Sequence, residues 1–104
     1  MKKARIEKLL AQTIGNYIRQ HISRIETDAF VSISKLTITP NLDIASVYLG
    51  IIAPHKVDER GFLAETMAVH HWRIRKHVAE KLRHVLRRIP AEIRFYLTRW
   101  ALTR

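Results

Sequence analysis

The stretch Ala29-Phe30-Val31-Ser32-Ile33-Ser34-Lys35-Leu36-Thr37-Ile38-Thr39, followed by Pro40-Asn41-Leu42-Asp43 and then Ile44-Ala45-Ser46-Val47-Tyr48-Leu49-Gly50-Ile51, decides the fold. Both halves are rich in β-branched residues, and apolar and polar positions alternate as they do in a half-buried strand. In the first half the alternation slips: Val31 and Ile33 share one parity, Leu36 and Ile38 the other. One extra residue near Ser34-Lys35 reconciles them, because a bulge flips the outward face. Thr39 to Asp43 reads as a turn. After it Ala45, Val47, Leu49 and Ile51 alternate with Ser46, Tyr48 and Gly50, which puts Tyr48 on the polar side with its hydroxyl exposed. Two such strands make a hairpin with one apolar face that other elements must cover.

Helical patterns flank the hairpin on both sides. Upstream, Ile6, Leu9, Leu10, Ile14, Tyr17, Ile18 and Ile22 recur at three and four, which predicts an amphipathic helix over roughly residues 3–23. Gly15 weakens that helix slightly and would allow a neighbour to pack closely. Downstream, Asp58 is placed to cap a helix running from about residue 59 to 88. Met67, Ile74, Val78, Leu82, Val85 and Ile89 form its apolar series. Thirty residues is long for so small a domain, so a break is expected at His70-His71-Trp72, where the apolar spacing is least regular. Pro90 ends the helix, since its ring cannot continue the hydrogen-bond ladder. Ile93, Phe95 and Leu97 then alternate with Arg94, Tyr96 and Thr98 as a third strand. The order is α-β-β-α-α-β, an α+β plan with a three-stranded sheet covered on one face by helices. Its 104 residues make a single domain, with 99–104 as a possible tail.

Charge is the second strong signal. The chain carries a net +10: residues 1–24 sum to +5, 25–66 to −3 and 67–104 to +8. Such asymmetry gives the field a direction that can steer a polyanion onto one side. Between His70 and Arg88 lie Arg73, Arg75, Lys76, Lys81, Arg83, Arg87 and Arg88, against a single acid, Glu80. On one continuous helix Arg73, Lys76, Arg83 and Arg87 would cluster on one side. A helix that is merely soluble usually mixes signs; here the like charges repel until an anion arrives. Lys2, Lys3 and Arg5 add a basic opening. Phosphate of RNA or DNA is the first candidate ligand.

Other chemistry finds little support. Without cysteines there are no disulfides, thiolate nucleophiles or Cys-ligated metals. His70, His77 and His84 step by seven along one flank, about 10 Å apart on a helix, too far to share one ion; exposed imidazoles are expected there. Three glycines, Gly15, Gly50 and Gly61, cannot write a P-loop or a dinucleotide fingerprint, and no nucleophile–base pair is evident. No enzyme activity, metal, cofactor or small-molecule substrate is therefore expected. Trp72 reads either as a core or kink-packing residue or as a platform for an unstacked base. Trp100 either packs back on the sheet or marks a contact of the tail. No apolar run approaches a membrane span, and the N-terminus lacks the apolar core of a signal peptide, so a cytoplasmic location is expected.

The element order together with two stretches resembles the ribosome-binding factor A family. The first is Thr37-Ile38-Thr39-Pro40-Asn41-Leu42-Asp43-Ile44-Ala45-Ser46-Val47-Tyr48-Leu49, where Thr39, Leu42, Ala45, Val47 and Tyr48 occupy the family's pattern positions. The second is Ile74-Arg75 with Leu86-Arg87-Arg88-Ile89-Pro90 and Phe95; Arg5-Ile6 matches the basic-apolar opening. The resemblance implies a type II K-homology-like fold and a factor that binds the immature small (30S) ribosomal subunit near its 16S rRNA, with a role in maturation and cold adaptation. Where the family often has an Ala-x-Gly kink, this chain has His70-His71-Trp72, which the resemblance makes the part approaching exposed bases. Pro90-Ala91-Glu92-Ile93 carries one residue more than the family's Pro-Glu-Leu, and the acidic-serine ending is missing. The implied RNA-binding set is Lys2, Lys3, Arg5, Arg73, Lys76, Lys81, Arg83, Arg87 and Arg88, on a domain acting as a monomer. Two readings from other classes remain: a protein-interaction module whose basic helices serve solubility, and a peripheral binder of anionic membranes.

Overall fold

The computed structural model describes residues 2–102. Helix α1 (Lys3–His21) is followed by strands β1 (Phe30–Ile38) and β2 (Ile44–Ala53). A short helix α2 (Glu59–Phe62) leads through a π-helical turn (Leu63–Met67) into α3 (Ala68–Leu82), and β3 (Glu92–Leu102) closes the chain. This is the α-β-β-α-α-β order expected of a type II K-homology-like domain. The sheet runs β1-β2-β3, with β1 antiparallel and β3 parallel to β2. A parallel pair cannot be joined by a tight turn, so α2 and α3 form the crossover between β2 and β3.

The parity slip in β1 is a bulge. Ile33 pairs with Leu49 and Lys35 with Tyr48, leaving Ser34 without a partner in the ladder. The register of β3 slips as well, Leu97 pairing with Leu49 and Arg99 with Gly50 around Thr98. The Ser34 and Thr98 hydroxyls meet across β2 at 3.2 Å, and Ser34 Oγ also donates to the Tyr48 carbonyl at 3.0 Å. Two bulges at one level bend the sheet without costing it inward parity: Val31, Leu36, Ile38, Ala45, Val47, Leu49, Ile51 and Ile93 are all buried under the helices. From α1 they receive Ile6, Leu10, Ile14, Tyr17 and Ile18 at helical spacing. The Asp58 carboxylate accepts the Gly61 N–H at 2.9 Å and so caps α2 as expected. A Cβ at Gly61 would lie 2.8 Å from that carboxylate, which explains the glycine.

Three expectations about the second half are corrected. The helix is continuous through His70-His71-Trp72; its irregularity is the π-helical turn at Leu63–Met67. His70 belongs to the buried series Met67, His70, Ile74, Val78, Leu82, so spacing there is regular once this imidazole is counted as core. The odd step is Phe62 to Met67, a step of five from one buried side chain to the next, and one π turn absorbs it. Secondly, α3 stops at Leu82 rather than 88. Residues 83–85 form a turn in which the Val85 and Leu86 N–H groups both donate to Leu82 O, so Leu86 enters the core and Val85 faces solvent. Pro90 lies fully buried between that turn and β3. Finally, β3 runs on through Leu102, so the expected tail is mostly strand; residues 103 and 104 lie outside the described residues, as does the Trp100 side chain.

Candidate nucleic-acid interface

The buried stripe of α3 fixes what its other side presents. Val69, Trp72, Arg73, Lys76 and Glu80 follow at steps of three, one, three and four, opposite the Met67–Leu82 series. Val69 is 67% and Trp72 66% exposed, high for side chains of this size. Lys76 Nζ lies 5.3 Å from the Trp72 ring, within cation–π range. Trp72, Arg73, Lys76 and Glu80, together with Tyr17 and His77, line an open cleft of about 330 Å³ between α1 and α3. A polarised aromatic face flanked by two cations can take a base on the ring and phosphates on the ammonium and guanidinium groups.

Two imidazoles hold α3 in place. His70 is 2% exposed, its Nδ1 2.6 Å from the Tyr17 hydroxyl and its Nε2 2.6 Å from Glu26 Oε2. A carboxylate can only accept, so Nε2–H donates to Glu26 and, in the neutral ring, Nδ1 accepts from Tyr17. His71 Nε2 reaches the Ile93 carbonyl at 3.0 Å and ties α3 to the start of β3. The expected exposed row of His70, His77 and His84 is thus corrected: His70 is a core residue, His77 is half-buried against Tyr17, and only His84 is exposed. Burial lowers the His77 pKa, with Lys81 and His21 acting in the same direction and Glu80 against them. Burial likewise raises that of Tyr17, while Arg73 beside it pulls the other way.

The early end of α3 divides the predicted basic residues into two groups. Arg73 and Lys76 share the face with Trp72, and Lys81 is exposed in the last helical turn. Arg83, Arg87 and Arg88 follow the helix, so the four-residue face of Arg73, Lys76, Arg83 and Arg87 does not form. Arg83 Nε donates to the Ala79 carbonyl at 3.3 Å, closing the helix end, and Arg88 pairs with Asp43 in the hairpin turn. Lys2, Lys3 and Arg5 are exposed at the start of α1. Glu7, one turn on, accepts the Ile38 N–H at 2.9 Å, which puts that basic opening at the hairpin-turn end where Arg88 docks. As kink residues His70, His71 and Trp72 do not stand. The two histidines anchor α3 from inside, and Trp72 alone of the three faces outward. The Val69-Trp72-Lys76 spacing could have shown this in the sequence; Tyr17, a member of α1's apolar series, gave no such signal.

Comparison with known proteins agrees with this architecture. The sequence profile of ribosome-binding factor A matches residues 2–99. Ribosome-binding factor A of Prosthecochloris aestuarii is 30% identical over 96 residues, covering 92% of this chain and 75% of the relative. That of Chlorobium phaeobacteroides is 29% identical over 99 residues, covering 95% and 81%. Among solved structures, ribosome-binding factor A from Thermus thermophilus superposes with a TM-score of 0.72 at 20% identity, covering 92% of this chain and 94% of its own. A homology model of the same Thermus protein, fitted into the cryo-EM map of a 30S complex, gives 0.64 at 20% identity with 94% of each chain covered. Profile, relatives and fold all span nearly the whole chain, and it belongs to the ribosome-binding factor A family.

Proposed function

We propose that this protein is a non-catalytic assembly factor, a single K-homology-like RNA-binding domain that acts in the cytoplasm as a monomer. It binds 16S rRNA on the immature small ribosomal subunit and assists its maturation. The observation that carries the reading is Trp72, two-thirds exposed on α3 with Arg73 and Lys76 beside it on the same face. Such a ring in a basic stripe suits an unstacked base with its neighbouring phosphates. The α3 face and the hairpin-end group of Lys2, Lys3, Arg5 and Arg88 grip separate stretches of rRNA backbone, with Lys81, Arg83 and Arg87 between them in sequence. Binding holds an immature rRNA conformation, and release follows when mature contacts outcompete the protein. Membership of the family and the 30S complex of the Thermus relative support the choice of partner. No helix among the described residues is long and apolar enough to cross a membrane.

Co-sedimentation with immature small subunits tests the reading. Exchanging Arg73 and Lys76 for glutamate should sharply weaken association while leaving the domain folded, since both side chains are exposed. The milder Arg73→Gln with Lys76→Gln should flatten the salt dependence of single-stranded RNA binding by about 1.4 log units, two contacts at roughly 0.7 each. Full association of the charge-reversed variant at physiological salt would refute this face. A wild-type complex indifferent to salt would favour an apolar protein interface instead.

A further inference from the structure

The open face of the sheet and the β1 edge play no part in the interface above, yet they carry a second basic and aromatic surface. Between α1 and β1 runs a groove of about 1340 Å³, rimmed by Lys8, Arg19, Arg24 and Lys35, with no carboxylate in its lining. Among the described residues none of these four cations is in an ion pair. Phe30 and Ile52, cross-strand partners, form an apolar shelf at its mouth and are 50% and 48% exposed. The Arg24 guanidinium lies 4.7 Å from the Phe30 ring. Arg24 adopts the left-handed conformation (φ 60°), rare for a side-chain-bearing residue, and its N–H closes the loop onto Ala29 O at 2.9 Å. Further along the open face Tyr48 and Tyr96 stack with ring centroids 5.1 Å apart, and Lys35 Nζ lies 6.0 Å from Tyr48.

Two features choose between occupants. An extended peptide would add to the β1 edge through backbone hydrogen bonds. That edge is closed at both ends, because the Val31 N–H donates to Ser23 Oγ at 2.8 Å and the Ile38 N–H to Glu7 Oε2 at 2.9 Å. The Ser34 bulge breaks the middle. Recognition there must run through side chains, and the side chains offer rings and cations. Tyr48 and Ile52 are four residues apart on β2, about 13 Å along a strand, a span suited to two or three stacked bases.

We propose that the α1–β1 groove and the adjoining open sheet face form a second site for single-stranded RNA. Bases lie on Phe30 and the Tyr48–Tyr96 pair, and phosphates lie on Lys8, Arg19, Arg24 and Lys35. Lys8 and Tyr17 are nine residues apart, about two and a half helical turns, so the groove and the Trp72 cleft lie on opposite flanks of α1. One molecule therefore joins two RNA segments with α1 between them. The inference rests on RNA being the ligand of the α3 face, and the experiment separates the two.

Titrate the full chain with a short fluorescein-labelled oligouridine, and count bound strands by native mass spectrometry. The wild type should take two strands. Phe30→Ser with Arg24→Gln and Lys35→Gln should take one and lose about ten-fold or more in overall affinity. Arg73→Glu with Lys76→Glu should retain the other strand. In the wild type, 4-thiouridine crosslinks should map to the Phe30 and Tyr48 peptides as well as to Trp72. Crosslinks confined to α3 with one strand bound would overturn this inference and leave the function standing. No RNA bound by the wild type would overturn both. A poly-glutamate peptide that displaces RNA from the groove at equal concentration would overturn RNA as the occupant.

Discussion

Tyr17→Phe removes a single hydroxyl, and the structure says what that costs. The hydroxyl is the partner of His70 Nδ1 at 2.6 Å, in a ring that is 2% exposed. Water cannot replace it without opening the contact between α1 and α3. A buried acceptor left without its donor costs about 1–3 kcal/mol. For a domain near this size each kcal/mol moves the melting temperature by about 4–8 °C, so Tyr17→Phe should melt roughly 5–15 °C lower. Glu26→Gln is the contrasting change. Glu26 is partly exposed and the glutamine carbonyl still accepts from Nε2–H, so its cost should stay below about 1 kcal/mol. Tyr17→Phe combined with His70→Leu removes both buried partners at once and leaves Glu26 facing solvent. That double variant should cost less than the sum of the singles by about 0.5–3 kcal/mol. Thermal melts followed by circular dichroism on wild type, Tyr17→Phe, His70→Leu, the double variant and Glu26→Gln provide the comparison. A Tyr17→Phe protein melting within about 2 °C of wild type, or single costs that simply add, would refute the claim that this imidazole ties the helices together.

Two further outcomes follow from individual side chains. A Cβ at Gly15 would meet nothing closer than Ile33 Cδ1 at 3.8 Å, an ordinary contact, so Gly15→Ala should raise stability by about 0.5–1 kcal/mol in a denaturant titration. A loss would mean that the helix needs the glycine for packing after all. His77 has a lowered pKa in the folded protein, mainly from burial, whereas an unfolded imidazole titrates near about 6.5. The unfolded chain therefore binds the extra proton first. This residue's share of stability falls as pH drops through about 6.5 and levels off below the folded-state value. His77→Gln should accordingly gain stability relative to wild type between about pH 7.5 and pH 5, and parallel melting curves for the two proteins across that range would contradict the assignment.

How far the sequence could be read depended on whether local pattern or tertiary demand set each feature. The β1 bulge was legible because parity is a local property: a shift from odd to even apolar positions has no other cheap explanation in a strand. The Asp58 cap was legible for the same reason. The break at His70-His71-Trp72 was misplaced because histidine was counted as polar. Its ring, satisfied on both nitrogens by Tyr17 and by Glu26, from distant parts of the chain, behaves as a core residue. Nothing near residue 70 announces those partners. The end of α3 was misplaced because Pro90 sets only an outer limit. The chain leaves the helix at Leu82 so that Leu86 and Pro90 can both be buried and the Glu92 N–H can reach Asp43 O at 3.1 Å, opening β3 beside β2. Helix propensity at residues 83–88 is ordinary, and tertiary packing overrides it.

That override shapes the interface as well. Had α3 run on to residue 88, Arg73, Lys76, Arg83 and Arg87 would have shared one rigid face with fixed spacing. Stopping at Leu82 moves Arg83, Arg87 and Arg88 into a nine-residue connection and lets Arg88 fasten the hairpin turn through Asp43. The positive charge is then shared between a rigid α3 patch built around Trp72 and a group at the hairpin end, joined through the 83–91 segment. A single face would grip one stretch of phosphate backbone, whereas separated patches can engage two stretches whose relative placement changes as an RNA folds. The release from mature rRNA proposed above requires that sensitivity to placement, and the buried His70, Leu86 and Pro90 set where each patch lies.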